Sequence, residues 1–169
     1  NTVDPETMIK QYGADAVRWF ILSDSPPEKD VQWTDSGVIS ANKFLQKIWN
    51  LNYSILNKEN KNFDQELESS FDLEINQIIN KIDNSIQNFR FNVSIALFYE
   101  IYNVFKKYID KNLSKQKLSE NIIKIMKLMI PFTPHLAHEC LELFKCKSVN
   151  EWPKISKTNL LEKIKLAVQ

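Results

Sequence analysis

At 169 residues and a formal net charge of +1, the chain has the size of one domain, or of one domain with appendages at its ends. A chain of this length buries roughly 70% of its unfolded surface, so its core needs neither disulfide nor metal. The balanced charge excludes a protein that is acidic or basic throughout, but not a local basic face of the kind that meets a nucleic acid. Cys140 and Cys146 are the only cysteines and read as reduced thiols of a cytosolic protein. No apolar run is long enough to span a membrane, and no stretch has the make-up of a signal peptide.

In chain order, Asp4-Pro5 starts a short helix, with a capping carboxylate followed by proline at the first helical position, and Gly13 ends it. A second helix over Ala14 to about Ser23 presents Val17, Phe20 and Ile21 on one face, with Arg18 and Asp24 as polar handles. Pro26-Pro27 stops it, Val31-Gln32-Trp33 forms a short extended link, and Thr34 caps the next helix. This first long helix, about Asp35 to Asn57, carries Val38, Ala41, Leu45, Ile48 and Ile55 at helical spacing, widened by Phe44 and Trp49. Its other face shows Lys43, Lys47, Asn50, Ser54 and Lys58, and a polar connector occupies 58–65.

A second long helix is expected from about Ser69 to Asn88, burying Ile75, Ile78, Ile79, Ile82, Ile86 and Phe89. Asn92 then caps a helix reaching about Asn112, rich in Phe98, Tyr99, Tyr102, Phe105 and Tyr108. Ser119 opens the next, with Ile122, Ile125, Met126 and Met129 inward, and Thr133-Pro134 starts the last, ending near Phe144. The fold expected is all-α, an antiparallel bundle. Lys163 to Val168 instead alternates with period two, an orphan strand signature; together with the absent initiator methionine it suggests an excised fragment that stops as another domain begins.

The order Thr2-Val3-Asp4-Pro5, Tyr12-Gly13-Ala14-Asp15, Ser25-Pro26-Pro27-Glu28-Lys29-Asp30 and Trp33 resembles the segment joining the catalytic and helical domains of class I aminoacyl-tRNA synthetases, in particular the bacterial-type leucyl-tRNA synthetases. The resemblance continues in Asn42-Lys43-Phe44-Leu45 with Trp49, in Arg90-Phe91-Asn92 with Ile95-Ala96, and in Pro131-Phe132-Thr133-Pro134-His135-Leu136-Ala137. Each motif alone is weak, while the ordered set is specific. It implies that 1–33 ends a catalytic domain, that 34–150 is a tRNA-binding helical domain of the anticodon-binding type, and that 151–169 leads into a further domain. It also implies a cytoplasmic, monomeric parent enzyme that joins leucine to tRNA(Leu) with ATP and Mg²⁺, none of which this stretch would hold itself. In that family the leucyl bundle holds the tRNA body rather than reading the anticodon. The corresponding domain of an isoleucyl, valyl or methionyl enzyme is a rival; so is a helical protein-interaction module with no RNA role.

The residues agree that no reaction centre lies here. With only Gly13 and Gly37, no glycine-rich phosphate loop can form, and no nucleophile stands beside a plausible base. His135, His138, Glu139 and Cys140 invite a metal, but the further ligands that zinc requires are not spaced for it. RNA contact is left. Lys43, Lys47 and Asn50 on one helical stripe could meet phosphates, as could Arg90 with Asn92 at a helix junction. Lys106, Lys107, Lys111, Lys115 and Lys117 make a second basic cluster, against which stands the plain reading of a solvated helix face. Trp33 and Trp49, set among apolar residues, read as core rather than as stacking platforms.

Overall fold

The computed structural model describes residues 3–59 and 63–154. Among them the chain forms α1 (Pro5–Tyr12), α2 (Ala14–Asp24), α3 (Asp35–Leu56), α4 (Gln65–Gln87), α5 (Phe91–Tyr108), α6 (Lys115–Met129) and α7 (Pro134–Leu143). The strand expected over Lys163 to Val168 lies outside the described residues.

Side-chain contacts fix the direction of each helix. Ser85 meets Ser94 at 2.7 Å, and Phe71 meets Phe105 with ring centroids 5.2 Å apart, so α4 and α5 run antiparallel. Phe44 lies against Tyr99, and Lys58 reaches the carbonyl of Ile109, so α3 runs parallel to α5. The Glu68 carboxylate accepts from the Ser114 amide and Asp72 meets Asn121, so α6 runs parallel to α4. The four long helices therefore go up, down, up and down, and the closely packed pairs among them are α4 with α5, α4 with α6 and α3 with α6, so α3 and α4, though consecutive, are not close neighbours. Their apolar stripes meet in one core that includes Ile48, Ile55, Ile75, Ile79, Phe98, Ile101, Ile122 and Met126.

α2 joins that core rather than standing apart from it. Trp19 is fully buried, its ring 5.3 Å from that of Phe44, 5.8 Å from Phe98 and 6.3 Å from Phe132. The inward face of α2 is Ala16, Val17, Trp19 and Phe20, while Ile21, expected inward, is 44% exposed. Between α2 and α3 the link contains a turn closed by the Lys29 amide on the Pro26 carbonyl, then runs extended into Thr34, whose hydroxyl caps Gly37. Trp33 is half-buried with its ring edge-on to Phe20, and Trp49 is half-buried as well.

Several helix boundaries differ from the expectation for local chemical reasons. α4 begins at Gln65 because the Asp64 carboxylate accepts from the amides of Glu66 and Leu67. α6 begins at Lys115 because Ser114, not Ser119, is its cap, accepting from the Lys117 amide. Asn92 does not cap α5; that position is Arg90, and Asn92 falls in the first turn. Phe89 is not core: it sits just past the end of α4 with φ 56°, which turns its ring outward to 68% exposure.

A candidate nucleic-acid interface

α3 and α5 are not in close backbone contact; they meet through long side chains, Phe44 against Tyr99 and Lys58 on the Ile109 carbonyl, and between them lies a groove of about 430 Å³ lined by Lys47, Asn50, Ser54, Lys58, Tyr102 and Lys106. Leu51 and Ile109, both buried, complete its floor, and Asp110 lines it too. Because the two helices run parallel, 47, 50 and 54 of α3, with 58 just past its end, line one wall, and 102 and 106 of α5, with 110 just past its end, line the other. Three ammonium groups then share the groove with a single carboxylate. The result is a concave, positively charged surface that fits a phosphodiester backbone.

Lys58 also has a structural task. Its ammonium donates to the Ile109 carbonyl at 2.7 Å and to the Lys111 carbonyl at 3.3 Å, satisfying carbonyls at the C-terminus of α5. Lys47 and Lys106 are exposed and, among the described residues, carry no such bond, so their charge is open to a partner there.

The second basic cluster divides. Lys107 pairs with Glu74 at 2.9 Å, and that hydrogen bond holds its pKa above the ordinary lysine value. Lys117 pairs with Asp72 at 3.3 Å and is half-buried. Lys107 and Lys111 both lie 4.8 Å from the centre of the Tyr108 ring. Of this cluster only Lys106 joins the groove.

Of the residues singled out in the sequence, Lys47 and Asn50 come together with Lys106, while Lys43 lies one turn earlier on the exposed face of α3. Arg90 and Asn92 are elsewhere. They begin α5, and the path from Arg90 to Lys106 is roughly 24 Å at the standard helical rise. Arg90 is exposed between Phe89 and Phe91, whose rings meet edge to face at 5.8 Å. Sequence reasoning missed Tyr102 as part of a site. The i, i+4 pairing of Tyr102 with Lys106 was the available signal; the partner helix was not readable.

His135 and His138 have local duties. Asp15 of α2 is buried and its carboxylate accepts from the amides of His135 (3.4 Å) and Leu136 (2.7 Å), with His135 Nδ1 at 3.0 Å. His138 Nδ1 donates to the Pro134 carbonyl at 2.7 Å. Arg18 donates to the carbonyls of Phe132 and Pro131 at 3.1 and 2.6 Å. Among the described residues no group of three or more His, Cys, Asp or Glu gathers as a metal site. Nor is any helix among them long and apolar enough to cross a membrane.

A family model described as the anticodon-binding domain of tRNA ligase matches residues 68–169. The chain is 36% identical over 177 residues to a leucine–tRNA ligase of Hyphomonas neptunium, covering all of this chain and 20% of that one. It is 41% identical over 141 residues to the leucine–tRNA ligase of Ruegeria pomeroyi, covering 82% of this chain and 16% of the relative. Among solved structures, a ternary complex of an Agrobacterium radiobacter LeuRS with tRNA and LeuAMS superimposes with a TM-score of 0.78 at 23% identity, over 92% of this chain and 21% of that one. The chain thus spans about a fifth of the length of these relatives.

Proposed function

This chain belongs to the family of anticodon-binding domains of tRNA ligases, and from that premise we propose that it is the helical tRNA-binding part of a leucine–tRNA ligase. The observation that carries the reading is the α3–α5 groove, where Lys47, Asn50 and Lys106 share one concave face. Lys43 extends the same stripe by a turn, and Arg90 with Asn92 supplies a second point of contact at the far end of α5. An RNA helix is held at such points by its phosphates and 2′-hydroxyls, with little reading of sequence. The partner is tRNA(Leu), gripped by its body. Leucylation, with its ATP and Mg²⁺, belongs to other parts of a longer polypeptide in the cytoplasm, working as a monomer. This part has no step of its own in the reaction. It positions the RNA.

The test is direct binding of tRNA(Leu) transcript to the chain across a salt series. Binding that weakens steeply as salt rises is the expected result, since each phosphate contact releases bound counterions. Failure to bind at low salt, or binding indifferent to salt, overturns the proposal and favours a module that docks a protein through an apolar face.

A further inference from the structure

At the end of the bundle away from the groove, Lys127 of α6 is an anomaly. It is 8% exposed, yet among the described residues its ammonium bonds only to a neutral group, the Ser148 hydroxyl at 2.8 Å. No carboxylate among the described residues forms an ion pair with it. Its place in the last turn of α6 suits a cation, because the helix dipole is negative there. The dipole does not explain why the ammonium is buried with protons to spare, since burying a charge is costly unless it is paired.

Lys127 lines a cavity of about 240 Å³ whose walls include Ile130, Pro131, Val149 and Trp152. Trp152 is 46% exposed, and its ring is fixed in place because the indole N–H donates to Asp83 at 2.9 Å. His138 lines the cavity too. Its Nδ1 is engaged with Pro134, which leaves Nε2 as a hydrogen-bond acceptor in the neutral ring. Glu151 also lines the cavity and opposes an incoming phosphate, but it is exposed, so solvent and salt screen its charge.

We propose that this cavity takes a single unpaired RNA nucleotide, its base stacked on the fixed Trp152 ring and its phosphate on the Lys127 ammonium. A flat apolar wall beside an under-used cation is the pairing that single-stranded nucleic acid recognises, and stacking of this kind tolerates any base. The inference rests on the chain being an RNA-binding domain, but it concerns a site separate from the α3–α5 groove.

The experiment is an amide and indole NMR titration of the chain with a 5′-mononucleotide, the matching nucleoside and inorganic phosphate, each to millimolar concentration. The nucleotide is expected to shift the Trp152 indole signal together with the signals around Lys127 and Ser148. Trp152→Ala, at a half-exposed position, should weaken nucleotide binding about tenfold or more. Lys127→Met should weaken the nucleotide by a similar factor but leave the nucleoside unchanged. No shift at Trp152, or equal shifts from phosphate and nucleotide, overturns the inference. Should Lys127→Met not fold, the contrast between nucleotide and nucleoside in the unaltered chain decides the phosphate half. Failure here leaves the tRNA salt series intact as a separate test of the groove.

Discussion

Gly37 stands where the start of α3 passes over α2. A Cβ placed on it would run into the Phe20 ring and come within 2.8 Å of the Thr34 hydroxyl that caps the helix. Phe20 is buried and cannot swing aside. Gly37→Ala should therefore cost about 1–3 kcal/mol by overpacking, read as a lower urea midpoint with unchanged m. Cys140 gives a prediction in pH. It is fully buried on α7, and burial, with the Glu139 charge a lesser cause, pushes its thiol up to about 12 from 9.0. Above pH 9 the unfolded chain loses this proton while the folded chain keeps it, so stability falls as pH rises between the two values. The slope from this group is about 1.4 kcal/mol per pH unit. Stability curves of the unaltered chain and of Cys140→Ala should run parallel below pH 9 and converge above it. Neither residue's role could be read from the sequence. Gly37 there is one glycine inside a helical pattern, and nothing local tells that Phe20 lies across it. Spacing alone argues against a metal on His135, His138 and Cys140; in the fold the Nδ1 atoms of the two histidines meet Asp15 and the Pro134 carbonyl.

Most helices were legible because their apolar stripes keep the helical period, and the errors gather at their ends. A cap is a single side chain turned back on its own amides, and Asp64 and Ser114 each had a plausible rival a few residues away. α7 is the instructive case. Thr133 occupies its N-cap position but makes no side-chain cap; its hydroxyl faces the Met129 carbonyl at 3.5 Å. The cap comes instead from Asp15, well over a hundred positions earlier, whose carboxylate takes two amides of α7. Arg18, one turn along α2, ties down the preceding carbonyls of Pro131 and Phe132. Two of the motifs behind the family resemblance, Tyr12-Gly13-Ala14-Asp15 and Pro131-Phe132-Thr133-Pro134-His135, thus meet in space. Their shared physical content is the docking of α7 on α2. Asp15→Ala should cost about 1–2 kcal/mol, because it leaves two part-buried amides at the start of α7 without their charged acceptor. Hydrogen exchange should show the Leu136 amide losing protection before those of α3 or α5 do.

At the scale of the molecule, the helices gather basic residues at two places that are only separate runs along the chain. Lys47 and Lys106 come from helices α3 and α5, which no periodicity pairs; their meeting depends on the parallel course of those helices. Arg90 lies at the opposite end of α5. This separation makes the RNA reading quantitative. If the groove grips phosphates, replacing Lys47 and Lys106 together by Met removes two contacts, and the slope of log affinity against log salt should flatten by about 1.5. Arg90→Met should flatten it by about one or less, and the two effects should add, since the sites are roughly 24 Å apart along the helix and share no partner among the described residues. Lys107→Met supplies the control: it is as basic and lies next along α5, but Glu74 already neutralises it, so the slope should stay put. A slope that responds equally to Lys106 and Lys107 would mean that tRNA senses only the chain's overall charge. A slope that responds to Lys47 and Lys106 but not to Lys107 locates the contact in the groove between α3 and α5.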